Sequence, residues 1–191
     1  SPSYAGAVSL FINDTLRFSK FKKNITVFGH TQYAKKFDRK YFNLDIKKKI
    51  FRSQNKEYVK EFIKKEKSRN SQIIELHNRP IYLKYLVNEL EKKDYILYFH
   101  NDPLTMLGSK SISERSFLLD NCYRIIFNSN WSKKRFLHKM KSDAINSEKL
   151  IVINQSAKKN KINFKKKKKI ILFVGRLNKS KGYDIFGNAL I

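Results

Sequence analysis

Tyr95-Ile96-Leu97-Tyr98-Phe99-His100-Asn101-Asp102-Pro103 is a run of apolar residues that stops abruptly at a polar turn. A short apolar run bounded by turn signals predicts a buried strand. The same phrasing occurs upstream, where Gln72-Ile73-Ile74-Glu75-Leu76 ends in His77-Asn78-Arg79-Pro80. It occurs again downstream, where Arg124-Ile125-Ile126-Phe127 ends in Asn128-Ser129-Asn130. Between the first two runs, Leu83, Leu86, Val87 and Leu90 follow Pro80 at helical spacing, and Pro suits the first position of a helix.

Working outward, the alternation continues. Val8, Phe11, Ile12 and Thr15 mark one helix, and Val59, Phe62, Ile63 and Glu66 another. Asn24 to Gly29 reads as a short strand, residues 30–47 as irregular, and Ile50-Phe51 as a further short strand. Ser113 to Leu119 predicts a helix, and Asn130 is placed to cap a helix through Trp131, Phe136 and Leu137. Strands alternating with helices predict an α/β fold: a Rossmann-like parallel sheet with helices on both faces. Residues 154–168 break the pattern with Asn, Ser and Lys, and the lysines run on through 169. The expected organisation is therefore an N-terminal domain over 1–153, a basic linker over 154–168 and a second α/β unit opening at 169–191.

Composition narrows the function classes. The chain has 42 Lys and Arg against 16 Asp and Glu, a formal charge of +26. Such a balance predicts an anionic partner, whether nucleotide, phospholipid surface or nucleic acid, although Lys- and Asn-rich coding bias produces the same excess. With 41% hydrophobic residues the chain can build a core. Cys122 is the only cysteine, which excludes an intrachain disulfide and suits a reducing compartment. No apolar run reaches membrane-spanning length and no secretory leader is visible, so a cytoplasmic location is expected. The chain opens on Ser1-Pro2-Ser3 and closes within a helical pattern, which reads as a fragment of a longer protein.

In open parallel sheets ligands bind at the C-terminal ends of the strands. Three strands here end in polar clusters, two of them led by histidine. His100 is a candidate for hydrogen bonding or proton handling at a substrate hydroxyl, and Asp102 for a general base. His77, Asn78 and Arg79 form the neighbouring polar cluster, a weaker candidate for lining the same cleft. No metal is expected, because no third ligand accompanies His100 and Asp102. A separate candidate lies in Ile170-Ile171-Leu172-Phe173-Val174-Gly175-Arg176-Leu177-Asn178-Lys179-Ser180-Lys181-Gly182-Tyr183-Asp184. Read as strand, cationic loop and helix, it predicts a diphosphate site on Arg176 and Lys181. It is not a Walker loop, and no G-x-G-x-x-G occurs.

Val174-Gly175-Arg176 followed by Lys181-Gly182 resembles the opening of the donor-binding domain of retaining GT-B glycosyltransferases of family 4, the glycosyl transferases group 1. Ala5-Gly6-Ala7 is similar to that family's Gly-rich loop, with Ala5 in place of its first glycine. Phe99-His100 resembles its strand-end histidine, and Ile126 to Ser129 with Trp131-Ser132 the stretch that ends its acceptor domain. The resemblance covers nearly all 191 residues. It implies transfer of a sugar, with retention, from a nucleotide-sugar donor to a glycan or lipid-linked acceptor in surface polysaccharide, lipopolysaccharide or glycolipid synthesis. It implies Gly6, Gly175, Arg176 and Lys181 at the donor diphosphate, His100 at the donor sugar or acceptor, His77, Asn78 and Arg79 with Asp102 on the acceptor side, and no cofactor beyond the donor itself. It also implies an inactive fragment, because the family's paired glutamates are not in this chain. The competing expectations are a basic nucleic-acid-binding protein and another GT-B enzyme such as a sugar-nucleotide epimerase. Lys20, Lys22 and Lys23, with Lys35, Lys36, Arg39 and Lys40 and the aromatics between them, suggest peripheral contact with an anionic membrane.

Overall fold

A computed structural model describes residues 6–32, 40–46, 53–156, 170–175, 177 and 179–190. The chain divides into two compact units, residues 1–156 and 157–191.

The larger unit is α/β with parallel sheets. Its elements run α1 (Ala7–Phe18), β1 (Val27–Gly29), β2 (Tyr41–Asn43), α2 (Gln54–Arg69), β3 (Ile73–His77), α3 (Pro80–Leu86), β4 (Asp94–Phe99), α4 (Ile112–Asn121), β5 (Arg124–Phe127), α5 (Asn130–Phe136), α6 (Ser142–Ile145) and β6 (Leu150–Val152). Strands β3, β4, β5 and β6 form one four-stranded sheet in chain order, every pair parallel. Parallel neighbours cannot be joined by a tight hairpin, so each connection crosses back through a helical segment. Strands β1 and β2 form a separate parallel pair.

Two expectations are corrected by these strands. Residues 30–47 are not all irregular, since Tyr41–Asn43 pairs with β1 through Val27↔Tyr41 to Gly29↔Asn43. The sheet is not single. It also gains β6, which no periodicity announced, through Ile125↔Leu150 to Phe127↔Val152. The strand expected at Ile50-Phe51 lies outside the described residues.

The core is the apolar content of the predicted runs. Leu97, Phe99, Ile125 and Phe127 from the central strands are sealed from solvent by Leu83 and Leu86 of α3, Leu118 of α4 and Phe136 of α5. Each such side chain contributes roughly 1.5–3 kcal/mol on burial. Pro80 opens α3 as expected, and Leu90 is buried four residues beyond the end of that helix at Leu86. The cap of α5 is a correction: Ser129, not Asn130, precedes the helix, and its Oγ accepts from the Ser132 N–H at 3.2 Å. Cys122 lies in the core, where burial pushes its thiol up to about 12 and leaves it inert.

The smaller unit departs most from expectation. Residues 170–174 pair with no strand among the described residues. Ile170, Ile171, Leu172 and Val174 are 68–85% exposed. A strand is a relation between two segments, and an apolar run alone does not supply the second one. The turn Lys179–Lys181 and helix α7 (Tyr183–Asn188) follow, with Gly182 in the left-handed conformation before the helix at φ 70°.

Candidate functional site

The polar ends of β3, β4 and β5 meet at one edge of the sheet, and the register dictates which side chains touch. His77 pairs with Tyr98, so His100 lies two residues beyond on the same face of its chain. His77 stacks on Tyr98 with ring centres 4.5 Å apart, and the two imidazoles lie 5.4 Å apart at 23°. Phe11 of α1 meets His100 edge-on at 4.8 Å. A cavity of about 10 Å³ remains beside His100, lined by Phe11, Tyr98, Phe99, Ile126, Asn128, Ile153 and Gln155. That is room for about one water molecule.

The backbone of His100 is clamped from both neighbouring strands. Asn78 sits in the left-handed region at φ 54°, which asparagine tolerates, and its Oδ1 accepts from the His100 N–H at 2.7 Å. Asn128 Nδ2 donates to the His100 carbonyl at 2.9 Å. Asn128 is held in turn by the Ser132 hydroxyl, which donates to its Oδ1 at 3.0 Å. Asn78 is thus a buried residue that positions the histidine.

Hydrogen-bond directions fix the tautomers. The Gln155 amide nitrogen can only donate, and it lies 2.9 Å from His100 Nδ1, so Nδ1 accepts. The proton of His100 is then on Nε2, which donates to His77 Nδ1 at 3.0 Å. His77 carries its proton on Nε2, facing Glu75 Oε2 at 3.6 Å, an electrostatic rather than a direct hydrogen-bonded contact. Gln155, His100, His77 and Glu75 therefore form one oriented chain that ends on a carboxylate. Glu75 also acts on Tyr98: burial first, and the Glu75 charge second, push that phenol up to about 12.

Burial first, and His77 second, push His100 down to about 4. Stability should follow. An unfolded histidine titrates near 6.5, so above that pH neither state takes up the proton and the site is neutral in the balance. Below 6.5 the unfolded chain binds a proton that the native ring refuses, and stability falls until pH approaches 4. After discounting the exposed part of the ring, the loss is about 2 kcal/mol across this window. Urea unfolding between pH 7 and 4.5 should show this loss in the native protein. A His100→Asn variant should show a curve flatter by about that amount; equal slopes would remove the assignment.

The other expected residues are placed as follows. Asp102 caps the turn Pro103–Thr105 by accepting from the Leu104 N–H at 3.0 Å. It also takes a forked contact from Arg135, with Nε at 3.2 and 3.1 Å and Nη2 at 2.9 Å. Burial raises its pKa, but Arg135 and the Leu104 amide outweigh that and hold the carboxyl below its ordinary range. The carboxylate expected as a base is thus committed to a guanidinium. Arg79 is exposed and donates to the Asn78 carbonyl at 3.0 Å. Gly6 precedes α1 with no neighbour within 4 Å of a Cβ built on it. Gly175 and Lys181 belong to the smaller unit, Lys181 being exposed, and Arg176 lies outside the described residues.

Four participants were not expected at the site. Glu75 carried a usable signal, because spacing of two in a strand puts it on the face of His77. Phe11, Arg135 and Gln155 carried none, since their partners are remote in the chain. Among the described residues, no three His, Cys, Asp or Glu side chains gather where a metal could sit.

Fold and edge together define an α/β domain with a polar site at the C-terminal ends of parallel strands. No family model, curated protein or solved structure matches this chain.

Proposed function

We propose that this chain is the acceptor-side domain, with the opening of the donor-binding domain, of a metal-independent retaining glycosyltransferase of the GT-B type. The observation that carries the reading is the convergence of His77, His100 and Asn128 at the C-terminal edge of a parallel sheet, where ligands of open α/β folds bind. A neutral, tautomerically fixed His100 suits an O–H donor: its Nδ1 already accepts from Gln155, and a sugar hydroxyl replaces the amide in kind. The acceptor, a glycan or a lipid-linked glycan, lies over this edge. Arg176 and Lys181 bind the donor diphosphate and neutralise the charge that develops on the leaving nucleotide.

The test is nucleoside diphosphate binding by calorimetry, because transfer itself is not expected of a chain without the family's paired glutamates. Arg176→Ala and Lys181→Ala should each weaken binding tenfold to a hundredfold, since a charge-assisted contact contributes roughly 1.5–3 kcal/mol. Absence of binding at millimolar nucleotide, with tight retention on a random DNA duplex at physiological salt, would assign the chain to nucleic acid instead.

A further inference from the structure

Among the described residues of the larger unit, the two most exposed large apolar side chains are Phe18 and Phe21, at 73% and 71%. They stand three residues apart where α1 ends and its turn begins. Arg17, Lys20, Lys22 and Lys23 are interspersed with them, all exposed. No carboxylate occurs in the sequence between Asp14 and Asp38. A fifth cation is tied to the same turn, because Lys40 Nζ donates to the Lys23 carbonyl at 2.9 Å. Coding bias accounts for abundant lysine and phenylalanine. It does not account for two phenylalanines left in water at one place.

The turn is built rather than loose. The Phe21 N–H donates to Ser19 Oγ at 3.1 Å, the Lys22 N–H to the Ser19 carbonyl at 3.4 Å and the Asn24 N–H to the Phe21 carbonyl at 2.8 Å. Leu16 is buried and anchors the last turn of the helix. The guanidinium of Arg17 lies 5.8 Å from the Phe18 ring centre, and cations at a helix C-terminus complement its dipole. Hydrogen bonds and one buried leucine therefore hold the aromatic pair outward within a ring of positive charge.

From this geometry we infer that the Arg17–Lys23 turn docks the protein on an anionic phospholipid surface, with Phe18 and Phe21 entering the headgroup–acyl boundary and the cations facing lipid phosphates. Interfacial segments combine these two features, an apolar wedge and flanking Lys or Arg. Single-stranded nucleic acid is the rival, since bases stack on aromatics between cations. It is held, however, by a groove that tracks its backbone. The cavities beside His100 and beside Gly108 both exclude this turn. Phe18 lies seven residues beyond Phe11 on α1, about 10 Å along the helix. A docked surface would therefore lie close to the His100 edge. The inference is independent of the proposed reaction, because it needs no nucleotide.

The experiment is sedimentation of the whole chain with vesicles of phosphatidylcholine containing phosphatidylglycerol, against phosphatidylcholine alone, at 0.1 M salt. The native protein should bind the anionic vesicles and not the neutral ones. A net charge of +26 would by itself attract any anionic surface, so the deciding variant keeps the charge: Phe18→Ser with Phe21→Ser. Both rings are mostly exposed, so the variant should keep its circular dichroism and its unfolding midpoint. Its vesicle affinity should fall about tenfold, each ring losing part of the transfer free energy of a phenylalanine. Lys20→Gln, Lys22→Gln and Lys23→Gln together should cost about a hundredfold, near fivefold per charge. Unchanged binding by the phenylalanine variant would overturn the inference. So would an equal tenfold loss of that variant on single-stranded DNA, which would make the turn a base-stacking surface.

Discussion

Replacing Arg115 with Met should destabilise the larger unit by about 4 kcal/mol and lower its melting midpoint by about 10 °C. Arg115 is 2% exposed, and among the described residues no carboxylate is in contact with it. Its charge is met by carbonyl oxygens instead. Nη1 donates to Lys110 at 2.8 Å and Ser109 at 3.3 Å, and Nη2 donates to the His138 carbonyl at 2.8 Å. The guanidinium thus ties the connection after β4 to the chain following α5. Methionine fills much of the volume but leaves three carbonyls without a donor, at roughly 1–3 kcal/mol each where water is excluded. Removing a buried charge offsets part of this, which keeps the sum near 4 rather than higher. Arg115→Lys should fall between, because one ammonium cannot span carbonyls on both segments. Calorimetric melting decides the matter: a loss below 1 kcal/mol for Arg115→Met would mean that the clamp contributes little.

That connection also shows where sequence reading ran short. Strands β3, β4 and β5 were legible because each is an apolar run closed by turn chemistry, with alternate residues buried in β3 and β4 and Ile125, Ile126 and Phe127 all buried in β5. Strand β2 was not. Tyr41-Phe42-Asn43 is too short for a period, and its place depends on distant partners. Phe42 stacks on Phe28, and the Arg69 guanidinium lies 5.0 Å from the Phe42 ring centre and 5.9 Å from that of Phe28. Residues 170–174 fail in the opposite sense. They are the most strand-like run in the chain, yet periodicity reports what a segment buries if a neighbour exists, not whether one does.

The site was legible as a place and not as a mechanism. Polar strand ends named His77, His100 and Asn128 correctly as neighbours, because parallel register brings strand ends together. Which atoms meet depends on angles and on remote residues. Asp102 looked like a free base until Arg135, thirty-three residues on, took both its oxygens. His100 looked open to a substrate until Gln155, fifty-five residues on, took Nδ1. Both partners arrive through tertiary packing, and neither leaves a mark in local spacing. The second case sharpens the chemistry, since a ligand at His100 must displace an amide.

Gly108→Ala should cost about 3 kcal/mol, the reverse of the usual effect of that substitution in a loop. Elsewhere alanine gains about 0.4–1 kcal/mol by restricting the unfolded chain. Gly108 sits at φ +91°, and a Cβ there would lie 2.5 Å from the Ile81 nitrogen and 2.6 Å from its Cα. The obstacle is the backbone of α3 just after Pro80, and no side-chain rotation relieves it. A left-handed non-glycine residue costs about 1–2 kcal/mol, and the overlap adds roughly 1–3 kcal/mol as α3 and the loop separate. The damage should spread to neighbouring contacts. Ser109, next in the chain, donates its hydroxyl to the Pro103 carbonyl at 2.6 Å, and the turn Pro103–Thr105 carries Asp102. The same substitution should therefore loosen the Asp102–Arg135 fork, raising the Asp102 pKa toward the ordinary carboxylate range. Carboxyl NMR titration of native and variant protein checks this, beside denaturant unfolding. A stable variant with an unshifted Asp102 would show that the loop tolerates a side chain and that α3 does not approach it as closely as 2.5 Å.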